Sequence, residues 1–86
     1  MTQQNAIDDL QRNSKFIIRG KMFRLKKIWD KKHETYFQDT DELKQQLNDG
    51  WVKKSDVLVI FEGDGLKHLS LDFVMSSNDI QKQNMR

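Results

Sequence analysis

The sequence contains no cysteine and no proline, and both absences narrow what the chain can do. Without cysteine there is no disulfide, no thiol nucleophile and no zinc–thiolate site, which suits a cytoplasmic protein. Without proline the chain lacks the simplest residue for interrupting an edge strand. The longest apolar run, at residues 57–61, is too short for a membrane-spanning helix. No basic-then-apolar leader opens the sequence, so we expect no secretory signal.

The 86 residues, 36% hydrophobic and 33% charged, predict one small domain. Such a chain buries only about 60–65% of its unfolded surface, so it needs either good sheet packing or a partner subunit. A homodimer is therefore one expectation. We place the domain at residues 15–75, between a polar N-terminal segment at 1–14 and a polar C-terminal tail at 76–86.

Both terminal segments hold few apolar anchors. Ile7 and Leu10 are three residues apart and can dock on one face of a short helix, with a frayed tail as the alternative. Ile80 and Met85 are the sizeable apolar side chains of the C-terminal segment. We expect that segment to be a mobile tail or one loose helical turn.

The first part of the domain has the alternation of a strand. Apolar residues occupy even positions up to Met22 and odd positions from Phe23 onward. A strand cannot change its apolar face without an extra residue or a turn. We expect a bulge at residues 20–23, and a turn at Gly20-Lys21 is the alternative. Residues 33–38 then predict a second strand.

The clearest helix signal begins at Asp39, which can cap the helix with Glu42 as its capping-box partner. Leu43 and Leu47 are four residues apart and form one apolar stripe.

The same helix has a clear end. Gly50 can adopt the left-handed C′ conformation, and Trp51 then occupies C″. From that position we expect the Trp51 side chain to fold back on the last turn; an exposed Trp51 acting as a binding anchor is the alternative.

The second half of the domain predicts a hairpin. Residues 57–61 are apolar on both faces, typical of a covered central strand or a subunit interface. Residues 62–65 predict a turn, and residues 66–75 alternate with Leu69, Leu71 and Phe73 facing inward. The element order β-β-α-β-β predicts an α+β domain, a mostly antiparallel sheet of about four strands with one helix on one face.

Few residues favour catalysis or metal binding. His33 and His68 lie 35 positions apart and match no ligand motif, so we expect both to be solvent-facing strand residues. Ser70 and Asp72 share the predicted polar face of His68, but an extended strand holds residues i and i+2 about 7 Å apart, too far for a direct proton relay. We therefore expect no enzyme, no cofactor and no metal site.

Charge is concentrated in one segment. Residues 12–33 carry nine Lys or Arg against the single Asp30, whereas residues 34–52 are acidic. Basic side chains interleaved with aromatic residues suit single-stranded nucleic acid, and contact with duplex phosphates is an equal alternative. The candidate nucleic-acid-binding residues are Arg19, Lys21, Arg24, Lys26, Lys27, Lys31 and Lys32. Simple alternation places Arg19, Lys21 and Lys27 on one face and Arg24 and Lys26 on the other.

A protein-binding face is one alternative to nucleic acid, and a solvated edge whose lysines prevent edge-to-edge pairing is another. The candidate partner-binding residues are Trp29, Tyr36 and Trp51, and the edge of the sheet offers a second docking surface. The two hypotheses are a non-enzymatic module that binds nucleic acid through residues 12–33 and a small regulatory or inhibitory protein that docks on a larger one.

One short pattern resembles other sequences. Leu43-x-x-x-Leu47-Asn48-x-Gly50-Trp51-Val52 is similar to small bacterial and phage domains, and the composition resembles that of phage and plasmid accessory proteins. The resemblance implies an accessory protein and carries no active site across.

Overall fold

Six antiparallel strands and two α-helices are formed by residues 4–82, the part of the chain that this computed structural model describes. The predicted α+β class is confirmed. The sheet is larger than the four strands expected, and there is a second helix. The elements are β1 (Lys15–Ile18), β2 (Lys21–Asp30), β3 (Thr35–Tyr36), α1 (Thr40–Asn48), β4 (Val57–Glu62), β5 (Leu66–Ser70), α2 (Leu71–Ser76) and β6 (Ile80–Lys82), with 3₁₀ turns at Gln4–Asp9 and Lys54–Asp56.

The ten-residue strand β2 organises the sheet. The strand order is β5-β4-β2-β1-β6, and β3 also pairs with β2. On one edge β2 pairs with β4 along most of its length. On the other edge it pairs with β1 at its beginning and with β3 at its end. The region between β1 and β3 on that second edge has no strand partner among the described residues.

A turn, not a bulge, separates β1 from β2, so the expected bulge at residues 20–23 is wrong. Arg19 and Gly20 form the connection with φ angles of 51° and 81°, and Ile18 pairs with Lys21. Two residues with positive φ give the turn whose twist matches a two-residue hairpin. Met22 consequently lies on the outer face with 52% of its surface exposed.

A bulge does occur farther along β2. The register against β4 shifts between Leu25 and Lys27, which makes Lys26 the extra residue. The inward-facing positions change parity there, because Leu25 precedes the bulge and Ile28 follows it, and both are buried.

The expected second strand is much shorter than residues 33–38. The structure has a turn at residues 31–34 and a two-residue strand, β3. The reason is local, because the buried Asp30 carboxylate accepts the backbone N–H groups of Lys32 (2.9 Å) and His33 (3.0 Å) and holds the chain in the turn.

Helix α1 begins as predicted. The Asp39 Oδ1 atom accepts the backbone N–H of Glu42 at 2.8 Å. The Glu42 carboxylate reaches the backbone N–H of Gln38 at 3.2 Å, one residue before the cap. Leu43 is fully buried and holds the helix on the sheet.

The predicted end of α1 is also confirmed. Gly50 has φ +75°, and its N–H donates to the Leu47 carbonyl, while the N–H of Trp51 donates to the Gln46 carbonyl. These two bonds form the Schellman pair that closes a helix.

The β4–β5 hairpin is confirmed, but the second strand ends at Ser70. The expectation that Leu71 and Phe73 continue it is wrong. The Ser70 Oγ atom accepts the N–H of Phe73 at 3.1 Å and starts helix α2. Leu71 and Val74, three residues apart, are then buried, whereas Phe73 is 41% exposed.

Both terminal segments join the fold. Ile7 within the first 3₁₀ turn and Leu10 directly after it are both buried. Ile80 begins β6, which pairs antiparallel with β1, so residues 80–82 are neither a mobile tail nor a helical turn. Lys82 also lies 3.5 Å from Asp9. Residues 1–3 of the N-terminal segment, and residues 83–86 of the tail with Met85, lie outside the described residues.

The hydrophobic core lies on one face of the sheet. The inward residues of the strands and the buried residues of both helices form one cluster, in which Phe16 and Phe61 meet edge to face at 5.3 Å. In β4 the inward side chains are fully buried, while Leu58 and Ile60 on the other face are half-buried. No helix in residues 4–82 combines the length and apolar content needed to cross a membrane.

Replacing Gly63 with alanine should destabilise the fold, because a Cβ there would lie 2.7 Å from the Phe23 ring and 2.9 Å from the Met22 carbonyl. We expect Gly63→Ala to lower the free energy of unfolding by about 1–3 kcal/mol in urea denaturation. Gly65→Ala is the matched control, since its Cβ meets nothing within 4 Å and should change stability by no more than about 0.5 kcal/mol. Equal effects of the two substitutions would contradict the close approach of this turn to β2.

Candidate nucleic-acid interface

The sheet face opposite the core has no helix against it among the described residues, and we name it the open face. Side chains directly opposite each other on paired strands share a face, so the strand registers define its rows. The rows are Tyr36–Trp29–Leu58–Ser70, Lys27–Ile60–His68, Lys15–Arg24–Glu62–Leu66 and Met22–Ile17–Gln81.

Two aromatic rings and a lysine lie together at one end of the open face. The ring centroids of Trp29 and Tyr36 are 4.6 Å apart, and the planes are tilted by 60°. The Lys27 Nζ atom lies 4.5 Å from the centroid of the Tyr36 ring. Tyr36 is 43% exposed, so its ring is available to a ligand. The predicted partner-binding residues Trp29 and Tyr36 are thus neighbours.

Cationic side chains cluster on the open face around the bulge in β2. Arg24 Nη2 lies 2.6 Å from Glu62 Oε1, and Lys26 Nζ lies 3.5 Å from Glu62 Oε2. Lys27 stands opposite Ile60, in the row beside Glu62. Strict alternation placed Lys27 on the opposite face from Arg24 and Lys26. That expectation is wrong, because the extra residue in the strand resets the alternation.

Glu62 is the carboxylate among these cations. Its hydrogen bond with Arg24, helped by the charge of Lys26, lowers the pKa of Glu62 below its ordinary value. Because this pKa is lowered on folding, the pairing contributes stability above the ordinary pKa and loses it as the pH falls through the lowered one. At neutral pH Glu62 is ionised and cancels part of the positive charge on the open face.

The other predicted basic residues lie at the two ends of β2. Arg19 and Lys21 are exposed at the β1–β2 turn, where Arg19 Nε is 4.0 Å from Asp79 Oδ2. Lys31 and Lys32 are exposed in the turn after β2 and are held there through their backbone N–H groups. The structure therefore brings together three of the seven predicted basic residues, Arg24, Lys26 and Lys27, and separates the remaining four into two pairs.

Lys15 belongs to the open face but is absent from the predicted residues. It pairs with Arg24 across the β1–β2 hairpin. The signal was present in the sequence, because a two-residue turn at Arg19-Gly20 places residues 15 and 24 opposite each other.

Trp51 is not part of the Trp29–Tyr36 pair. Its ring stacks on His33 with centroids 4.6 Å apart and planes within 2°. His33 Nδ1 in turn lies 2.8 Å from the Oδ2 atom of Asp30, which is 1% exposed. Trp51 remains 58% exposed, so it is not part of the core. His33 is a turn residue with a carboxylate partner and not the solvent-facing strand residue expected.

The remaining candidate chemistry does not converge. Ser70 Oγ is engaged as the cap of α2, and His68 lies on the open face opposite Ile60. Within residues 4–82 no three side chains of His, Asp or Glu are grouped to hold a metal ion.

Comparison with protein-family models, curated proteins and solved structures found no match to the chain.

Replacing Asp30 tests the anchor beneath Trp51. Asp30→Ala removes the acceptor of two backbone N–H groups and the partner of His33, so we expect the free energy of unfolding to fall by about 2–4 kcal/mol. Urea denaturation followed by circular dichroism measures this. Asp64→Ala is the control, because Asp64 is an exposed carboxylate in the β4–β5 turn. Equal unfolding midpoints for the two variants would show that Asp30 is not an anchor.

Proposed function

We propose that this protein is a non-enzymatic module that binds single-stranded nucleic acid on its open face. The observation that carries the proposal is the Trp29–Tyr36 pair with Lys27 beside it. Aromatic rings next to cations on a solvent-facing sheet offer stacking surfaces for unpaired bases and charge for the phosphates between them.

The charge of the open face supports this proposal. Lys15, Arg24, Lys26 and Lys27 outnumber the single carboxylate of Glu62. Contact with phosphates releases counterions, so the affinity of such a surface falls as the salt concentration rises.

The two helices and the open face favour single-stranded nucleic acid over a duplex as the ligand. Readers of duplex DNA commonly insert a helix into the major groove. Here α1 has Asp41 and Glu42 in its first turn, and α2 has six residues. An open sheet face with an exposed Tyr36 ring beside Trp29 instead suits bases that are free to stack.

A regulatory or inhibitory protein that docks on a larger partner is the second candidate. Met22 and Leu66 on the open face are 52% and 53% exposed, and Ile17, Leu58 and Ile60 are half-buried beside them. An apolar surface of this kind suits a protein partner. A protein partner and nucleic acid would compete for the same face.

The deciding experiment compares two double variants of equal net charge. Lys26→Gln/Lys27→Gln neutralises the open face, and Lys53→Gln/Lys54→Gln neutralises two exposed lysines at the second 3₁₀ turn. Binding of a labelled single-stranded 20-mer is measured by fluorescence anisotropy between about 50 and 200 mM salt. We expect only the open-face variant to bind more weakly and to lower the slope of log K against log salt by roughly 1.4, for two lost phosphate contacts.

Two results would overturn this proposal. Equal weakening by both variants would mean that general charge, not the open face, attracts the strand. No binding of the unmodified protein at the lowest salt would remove nucleic acid and leave the protein partner as the candidate.

A charge-removing substitution on the same face should strengthen binding. Glu62→Gln releases Arg24 and Lys26 from their carboxylate partner, so we expect affinity for the 20-mer to rise by about two- to fivefold. Asp64→Asn changes the net charge equally, and Asp64 forms no ion pair within residues 4–82, so it should raise affinity less. The same anisotropy titration measures both variants. A loss of affinity in Glu62→Gln would mean that Glu62 positions the cations for binding.

A further inference from the structure

A cavity of about 690 Å³ opens beside the open face, at the edge of β2 that lies between β1 and β3. Along β2, backbone hydrogen bonds from the neighbouring chain segments bound the cavity at each end. Leu25 exchanges bonds with Asn13 and Ser14, and the N–H of Phe37 donates to the Ile28 carbonyl at 3.0 Å. The cavity thus lies beside the stretch of β2 that lacks a strand partner. Its volume is in the usual range for sites that bind small molecules.

The floor of the cavity is apolar. Leu10, Leu25 and Ile28 are buried core residues, and Phe37 is partly buried against the same core. Phe37 presents the accessible apolar surface of this floor, and a flat heterocyclic ring can lie against it, because burying the faces of the ring removes apolar surface from water.

The rim of the cavity carries charges of both signs. Arg12, Lys26 and Lys27 supply cations, and Asp39 and Asp41 supply carboxylates from the start of α1. Asp39 is engaged by the Glu42 N–H as the helix cap, while Asp41 is exposed at the rim. The cavity and the open face share Lys26, Lys27 and Tyr36. A nucleic-acid strand bound on the open face would therefore pass the mouth of the cavity.

We propose that one guanine of the bound strand turns into this cavity. The inference rests on the proposed function and adds a base preference to it. The base lies against Phe37 and the apolar floor, Arg12 and Lys26 contact its phosphate, and Asp41 accepts hydrogen bonds from its Watson–Crick edge.

The carboxylate selects guanine by its donor pattern. Guanine presents two adjacent N–H donors on that edge, which match the two oxygens of one carboxylate. Adenine and cytosine place an acceptor beside their amino group, and thymine has a single donor between two carbonyls. Each of these acceptors would face the negative charge of Asp41.

The test compares an oligo(dT) 15-mer with the same strand carrying one central dG. We expect the dG strand to bind about five- to a hundredfold more tightly to the full chain, the range for a good bidentate base contact. Asp41→Asn should reduce this ratio to within about twofold of unity while oligo(dT) still binds. Asp49→Asn, the same charge change beyond the other end of α1, should keep the ratio.

A second variant tests the cavity itself. Gln38→Trp places a bulky ring at the exposed rim and should remove the dG preference without weakening oligo(dT). Circular dichroism confirms that each variant is folded. The guanine site is wrong if oligo(dT) binds and the dG strand binds no more tightly. It is also wrong if Asp41→Asn keeps the ratio of the two affinities. In both cases the open-face proposal stands. If neither strand binds, the proposed function fails and the guanine site fails with it.

Discussion

Both helices in residues 4–82 pack on the same face of the sheet. Helix α1 has nine residues, a rise of about 14 Å, and α2 has six. Leu43 and the Leu71–Val74 pair both direct these helices to the same core as Phe16 and Phe61. Among the described residues no helix covers the opposite face, which is left open to solvent. Half-buried Leu58 and Ile60, and the aromatic pair above them, lie on that face as a consequence.

The bulge at Lys26 determines what the open face can do. An unbroken strand would direct Lys26 and Lys27 to opposite sides of the sheet, and one of the two would face the core. The extra residue keeps Lys27 over Tyr36 and lets Lys26 reach Glu62. It also coincides with the stretch of β2 that lacks a partner strand, where the cavity lies. One local irregularity thus links the charge cluster, the stacking rings and the cavity.

Local signals were predictable from sequence, and long-range pairing was not. The cap at Asp39 and the left-handed Gly50 depend on neighbours within a few residues, so both ends of α1 followed from the sequence. The strand predicted at residues 66–75 was wrong from Leu71 onward. Ser70 is also a good helix cap, and the spacing of Leu71 and Val74 also fits a short helix. Strand β6 depends on pairing of Ile80 with Ile18, which no local pattern reveals. The parity change after Met22 allowed a bulge or a turn, and only the structure separates the two.

The same limit applies to the candidate interface. The basic segment was evident from charge alone, but its division into an open-face cluster and two turn pairs depends on the turn at Arg19-Gly20 and on the bulge. Lys15 enters the surface through hairpin register. Trp51 is not part of this surface, because its ring stacks on His33, which is paired with the buried Asp30.

The two tryptophans of the chain give the most direct test of the open face. Trp29 lies in its strand rows, whereas Trp51 belongs to none of them and stacks on His33 in the turn after β2. Titrating the ¹⁵N-labelled protein with a single-stranded oligonucleotide at low salt should shift the indole N–H signal of Trp29 and leave that of Trp51 in place. A shift of Trp51 alone, or of neither signal, would contradict nucleic-acid binding on the open face.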